Sequence, residues 1–143
     1  MDTNIGILKD KLGRPVDESI KESVLSFNRA GFVTTQSCEG HLDHAYPAPY
    51  IDVIETADIG RLKALVASFN RENFLPAHLR IKVHAGFMYS PTNKSRIARV
   101  STLTERQLDS HLEGKKLDLG GAYLEASQEV MSAFSDFLDR EGL

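Results

Sequence analysis

The order in which helical and strand patterns follow one another constrains this fold more than any other feature of the chain. Helical spacing is plainest at residues 62–69, where leucine, valine and phenylalanine recur at i, i+3, i+4 and i+7. Strand alternation is plainest at residues 79–84, where apolar and basic side chains take turns. Along the whole chain, such patterns predict the order α-β-β-α-β-β-α-α.

This order lacks the β-α-β repeat of a doubly wound sheet, so the predicted class is α+β. We expect a two-layer sandwich of about four mostly antiparallel strands, with the helices packed on one face. The chain has 143 residues and contains no repeat or linker. A chain of this length can bury a sizeable core, and we expect residues 1–143 to form a single domain.

Local signals predict the boundaries of these elements. The four strands are expected at residues 32–36, 50–54, 79–83 and 97–103. Gly86 is expected to bulge or end the third strand. Asp17 and Asp58 are candidate caps for the first two helices, and Thr104 with Gln107 is a capping-box signature for a third.

Composition narrows the class of protein. The net charge of −3 argues against a protein whose whole surface binds nucleic acid. It is still compatible with a local basic patch. A single cysteine excludes an internal disulfide and suits a reducing compartment. We find no segment that resembles a signal peptide or a membrane span, so a cytoplasmic protein with no membrane partner is expected.

Residues 34–44, TTQSCEGHLDH, place the only cysteine of the chain between small and polar residues and close to two histidines. Cys38, His41 and His44 are spaced by three residues each. Thiolate and imidazole are preferred ligands of zinc, and three protein ligands plus water is the usual arrangement of a catalytic site. One interpretation of this stretch is therefore a zinc site formed by these three side chains.

A second interpretation makes Cys38 a nucleophile. A free thiol has a pKa of about 8.5, and a protonated His41 nearby would favour the reactive thiolate. Glu39 could orient His41 or act as a general acid. The backbone N–H groups around Glu39 and Gly40 could stabilise an oxyanion. On this interpretation Cys38, His41 and Glu39 are the catalytic residues.

A third interpretation is purely structural. Cys38 would be a small buried residue at a strand end, Gly40 would supply a turn, and His41 and His44 would lie on the surface. Sites commonly form where the carboxyl end of a strand passes into a loop, and Ser37 to His41 would occupy such a place. The residues alone leave the three interpretations open.

The same stretch carries a resemblance to known proteins. Residues 34–41, preceded by Gly-Phe at 31–32 and followed by Pro-Tyr-Ile at 49–51, resemble a T-x-x-S-C-x-G-H signature of small, mostly uncharacterised bacterial and phage proteins. More distantly, they resemble the T-x-S-S-C-S-G-R motif of the wybutosine-pathway tRNA methyltransferases. Those enzymes use S-adenosylmethionine to modify a guanosine-derived base in tRNA, so the resemblance implies that cofactor.

The match to the methyltransferase motif is partial. The residues Thr34, Ser37, Cys38 and Gly40 agree with it, whereas Glu39 and His41 replace a serine and an arginine. The resemblance therefore implies a functional loop more directly than it implies a particular reaction.

The main concentration of positive charge lies on two predicted strands and the turn between them. It consists of Arg80, Lys82, His84, Lys94, Arg96 and Arg99. If the two strands pair, these side chains could share one surface and bind a phosphate or carboxylate. The structural alternative is a solvated strand face. Binding of RNA would also need exposed aromatic residues, for which Tyr46, Tyr50 and Tyr89 are candidates.

Together these features suggest a small protein that binds or acts on a phosphate-bearing or nucleotide-like ligand, whether or not it is an enzyme. The expected ligand-binding residues are Ser37, Gly40, Arg80, Lys82, His84 and Arg96. The alternatives are a non-catalytic module that binds RNA or protein, and a protein whose loop binds zinc. The sequence shows no G-x-G-x-x-G, P-loop or H-E-x-x-H motif.

Overall fold

The computed structural model describes residues 20–41, 47–55, 58–89 and 95–142, with the backbone alone at 87–89. The helices are α1 (Lys21–Arg29), α2 (Ile59–Asn73), α3 (Glu105–Leu112) and α4 (Gly121–Glu141), and a 3-10 turn spans Ala77–Leu79. The strands are β1 (Thr34–Cys38), β2 (Tyr50–Ile54), β3 (Lys82–Tyr89) and β4 (Arg96–Ser101). The predicted order of helices and strands is confirmed.

The four strands form one sheet in the order β1-β2-β4-β3, and each neighbouring pair is antiparallel. This arrangement confirms the α+β class. Ile51 and Val53 of β2, with Ala98 and Val100 of β4, face the main apolar core that α1, α2 and α4 cover. We call this side of the sheet the helix face and the opposite side the second face.

Phenylalanine rings join the three helices over the helix face. The Phe134 ring of α4 lies 5.7 Å from that of Phe27 in α1 and 5.2 Å from that of Phe69 in α2, both edge-on. Phe134 is completely buried. Of the helices in the described ranges, none is long and apolar enough to cross a membrane.

Helix α3 contributes no residue to the main apolar core that the other three helices cover. Its single buried residue, Leu108, packs with Cys38, Ala48 and Leu103 in a smaller apolar cluster. Cys38 alternates with Ser37, whose register partner Ile51 faces the main core, so this cluster lies on the second face. Because α3 buries only Leu108, it can cover this smaller cluster but no larger apolar surface.

The predicted capping box of α3 is confirmed. Gln107 N–H donates to the Thr104 hydroxyl at 3.1 Å, and Thr104 N–H donates to the Gln107 side chain at 2.9 Å. Asp58 occupies the N-cap position of α2 but makes no capping hydrogen bond with its side chain. Asp17 lies outside the described residues.

The bounds of three strands differ from the prediction. The fourth strand, predicted at 97–103, spans Arg96–Ser101. Leu79 lies in the 3-10 turn, and β3 begins only at Lys82, because the backbone after Pro76 turns before it extends. The first strand begins at Thr34, and Phe32 instead packs into the main core. The predicted irregularity at Gly86 is confirmed: its φ is +67°, and the register of β3 with β4 shifts between His84 and Met88.

We predict that Phe134→Ala lowers the free energy of unfolding by about 3–5 kcal/mol, because it leaves a cavity where three helices meet. Phe74→Ala provides a matched control, since Phe74 is 90% exposed and its replacement should change stability by no more than about 0.5 kcal/mol. Urea denaturation of both variants measures the difference. Equal losses for the two variants would contradict the position given to Phe134.

Candidate functional site

The segment Ser37 to His41, which we call the SCEGH loop, leaves the sheet where β1 ends. Cys38 is paired with Tyr50 in the sheet register. The Gly40 N–H donates to Cys38 Sγ at 3.4 Å, and the Gln128 side chain of α4 donates to the Glu39 carbonyl at 2.9 Å. The loop is therefore tied back to β1 on one side and to α4 on the other.

Gly40 cannot be replaced without disturbing this arrangement. Its φ of +96° lies in the region that side chains with a Cβ rarely adopt. A Cβ at this position would lie 2.5 Å from Leu124 Cδ1 and 2.9 Å from the Ala48 carbonyl carbon. The loop thus approaches α4 and the segment before β2 so closely that only glycine fits.

A nucleophilic Cys38 would need an accessible thiol, whereas this cysteine is buried. Cys38 is 7% exposed and packs against Ala48, Leu103 and Leu108. The physical reason is the sheet register, which places it on the second face where α3 closes over it. This packing favours the structural interpretation of Cys38, while its role as a nucleophile stays a prediction.

The zinc interpretation requires three ligands, and the structure describes two of them. His44 lies outside the described ranges. Among the residues that are described, no group of three histidine, cysteine, aspartate or glutamate side chains is arranged to hold a metal ion. A zinc site at Cys38, His41 and His44 stays a prediction, as do the catalytic roles of His41 and Glu39, both of which are partly exposed.

Two rows of polar residues cross the second face of the sheet. The sheet register aligns them as Gln36, Asp52, Arg99 and His84 in one row, and as Cys38, Tyr50, Ser101 and Lys82 in the next. The second row lies at the end of the sheet where the SCEGH loop begins, which we call the loop end. The strand patterns in the sequence place these residues on separate strands but do not show that they align in rows.

Asp52 and Arg99 form a buried ion pair between the two central strands. Arg99 Nε and Nη2 donate to the two Asp52 carboxylate oxygens at 2.8 and 3.0 Å. The side chains are 0% and 7% exposed, and the Arg99 guanidinium lies 3.6 Å from the centre of the Tyr50 ring. Burial raises the pKa of Asp52, although the guanidinium opposes this shift.

Sequence reasoning did not single out Asp52. The available signal was an acidic residue in the middle of the otherwise apolar strand YIDVI. An acid in such a place usually has a partner, because an unpaired buried charge is very costly. The partner lies 47 residues further along the chain, so local patterns could not identify it.

Two histidines lie close to this ion pair. His84 follows Arg99 in its row, and its Nε2 lies 2.9 Å from the Leu103 carbonyl. His111 belongs to α3, and burial together with the charge of Arg99 lowers its pKa. An open cleft of about 340 Å³ separates β3 from α3; among the residues that line it are His84, Glu105 and Asp109.

Arg80 and Lys82 form a pair of like charges at the loop end. Lys82 Nζ donates to the carbonyls of Ala77 and Thr102 at 2.8 and 2.7 Å, and Arg80 Nε donates to the Leu75 carbonyl at 3.0 Å. Burial, and to a smaller extent the charge of Arg80, lowers the pKa of Lys82. The two cations are thus held close to each other by the backbone.

Tyr123 connects this pair of cations with the SCEGH loop. Its hydroxyl lies 2.7 Å from the Thr102 hydroxyl, while the Thr102 carbonyl accepts from Lys82. Its ring packs on the apolar cluster that contains Cys38. Burial raises the pKa of the Tyr123 hydroxyl, which therefore stays protonated at neutral pH.

The prediction that all the basic residues share one surface is wrong for Arg96. Arg96 lies at the start of β4, about 17 Å along the strand from Ser101 at the loop end, and pairs with Glu55 at 3.7 Å. The antiparallel register separates it from Lys82, because its own partner in β3 is Tyr89. Lys94 and Tyr46 lie outside the described residues.

Comparison of the chain with models of protein families, with curated proteins and with solved structures finds no match. The resemblance to T-x-x-S-C-x-G-H proteins and to the wybutosine-pathway methyltransferases therefore stays a prediction. The site must be interpreted from its own geometry.

We predict that Gly40→Ala destabilises the protein by about 2 kcal/mol or more, because the new methyl group would press on Leu124 in a strained backbone conformation. Gly60→Ala is the control, since a Cβ at Gly60 in α2 meets nothing within 4 Å. That variant should keep its stability or gain up to about 1 kcal/mol. Thermal and urea unfolding would compare the two, and a harmless Gly40→Ala would disprove the close packing of the loop.

We predict that neutral His111 contributes stability that is lost in mild acid. Its pKa is lowered in the folded protein, so the contribution is complete above the ordinary histidine pKa of about 6.5 and disappears as the pH falls through the lower folded value. Between about pH 7.5 and 5, the wild type should therefore lose more unfolding free energy than His111→Gln. Parallel losses in the two proteins would show that folding does not lower the pKa of His111.

Proposed function

We propose that this protein binds a phosphate-bearing, nucleotide-like ligand at the loop end of the sheet. The observation that carries the proposal is the pair of cations Arg80 and Lys82, each fixed by hydrogen bonds to backbone carbonyls. Two like charges held close together repel each other. An anion bound between them would attract both cations and offset that repulsion.

Both side chains keep donors for such an anion. Lys82 uses two of its three N–H groups in the bonds to Ala77 and Thr102, so one remains. Arg80 uses Nε in its bond to Leu75, which leaves its two Nη groups. Three or more donors on two fixed cations match the oxygen atoms of a phosphate group.

The position of the SCEGH loop supports a ligand larger than phosphate itself. Cys38 and Lys82 occupy opposite ends of one row, three inter-strand spacings or about 14 Å apart. A ligand whose phosphate binds Lys82 could extend along the loop end towards His41. Glu39 and His41 then become the candidates for contacting its remainder, because Ser37 faces the helix side of the sheet and Cys38 and Gly40 are occupied in packing.

Binding alone accounts for this geometry, and no reaction is needed to explain it. The buried Cys38 thiol is better suited to packing than to attack on a substrate. The single cysteine also suits a reducing environment, and we propose a cytoplasmic location on that ground.

We predict that Lys82→Met and Arg80→Gln each weaken binding of a nucleoside monophosphate at least about tenfold, because each removes charge-assisted hydrogen bonds worth roughly 1.5–3 kcal/mol. Uridine and guanosine monophosphates and inorganic phosphate would be titrated at low salt while backbone amide NMR signals near residue 82 are followed. Lys63→Met, which removes an exposed lysine from α2, is the control and should bind like the wild type.

The shape of the melting curve checks that the variants remain folded. If none of these ligands moves the amide signals near residue 82, the proposed function is wrong. If Lys63→Met weakens binding as much as Lys82→Met, the attraction is a general effect of charge and the assigned site is wrong.

A further inference from the structure

Phe74, at the carboxyl end of α2, has two unusual properties. Its side chain is 90% exposed, the highest value among the large apolar residues exposed in the described part of the chain. Its φ of +49° also makes it the one residue other than glycine there with a left-handed backbone. Glycine or asparagine is usual at such a helix end. The backbone conformation is strained for a residue with a side chain, and the exposed ring gains no stability from burial. Strain of this kind is often found at residues that contact a ligand.

Along the chain, Phe74 comes directly before the segment that anchors the cation pair. The carbonyl that holds Arg80 belongs to Leu75, the residue immediately after Phe74. Lys82 is held by the carbonyl of Ala77, two residues beyond Leu75. An exposed aromatic ring and two fixed cations therefore share one short segment of backbone between α2 and β3.

We propose that this segment binds single-stranded nucleic acid, with a base stacked on Phe74 and a neighbouring phosphate bound by Arg80 and Lys82. Aromatic stacking combined with fixed cations is the usual means by which proteins bind single strands without reading their sequence. This inference rests on the proposed function, because it uses the same cation pair, and it adds the class of ligand.

The exposure of the ring favours a polymer over a free nucleotide. A side chain that is 90% exposed can cover one face of a base but cannot enclose it, so one stacked base and one phosphate form a weak site. A strand that continues along the surface adds further contacts and raises the effective concentration of each unit. Charge complementarity favours a polyanion over an apolar protein partner, because two cations are anchored on the backbone segment that follows Phe74.

The test uses fluorescence anisotropy with a labelled oligouridine of about eight nucleotides at low salt. Phe74→Leu keeps an apolar side chain without a ring, and Phe74→Asn suits the left-handed backbone. Both variants should bind the oligomer about tenfold more weakly than the wild type. Their melting temperatures should equal or exceed that of the wild type, so weaker binding cannot be attributed to unfolding. Lys63→Met should bind normally.

The outcomes separate this inference from the proposed function. If the Phe74 variants bind the oligomer like the wild type while Arg80→Gln weakens binding of both uridine monophosphate and the oligomer, the nucleic-acid inference is wrong and the proposed function stands. If neither uridine monophosphate nor the oligomer binds, both are wrong. If the wild type instead forms dimers in sedimentation that Phe74→Asn abolishes, the ring contacts a second copy of the chain, and the nucleic-acid inference is again wrong.

Discussion

The buried ion pair between Asp52 and Arg99 is the interaction on which the organisation of the sheet depends. It joins β2 to β4, the two central strands, on the face opposite the main core. A shift of either strand by one residue would carry a charge into the apolar helix face, so the pair selects one register. Tyr50 and α3 cover the ion pair and account for its low exposure. This cover removes water from both charges, and the two hydrogen bonds between them offset the cost of desolvation.

Features set by neighbouring residues could be predicted from the sequence, and features set by distant contacts could not. The β2 strand and the Thr104 capping box follow from local alternation and from spacing three residues apart, and both were predicted correctly. The burial of Cys38 depends on Leu108, which lies 70 positions later in the chain. The cation pair likewise depends on the Ala77 carbonyl in the 3-10 turn and on the Thr102 carbonyl just after β4. The alternating pattern at 79–84 could indicate neither contact.

The SCEGH loop combines structural and functional possibilities in a few residues. Close packing accounts for Cys38 and Gly40, which sequence reasoning had included in the chemical site. It does not account for the choice of Ser37, Glu39 and His41, whose side chains are partly exposed. Packing thus explains two of the five residues of the loop, and the functional roles of the other three stay predictions.

The contacts between α1 and α4 have a consequence for how the chain reaches its native state. The Ser26 hydroxyl donates to Asp139 at 3.0 Å across 113 positions, and it also accepts a hydrogen bond from Ser135 at 2.7 Å. Closing so large a loop costs chain entropy before any contact compensates for it. A ribosome-bound nascent chain would thus hold α1 without its α4 partner until almost all of α4 had emerged.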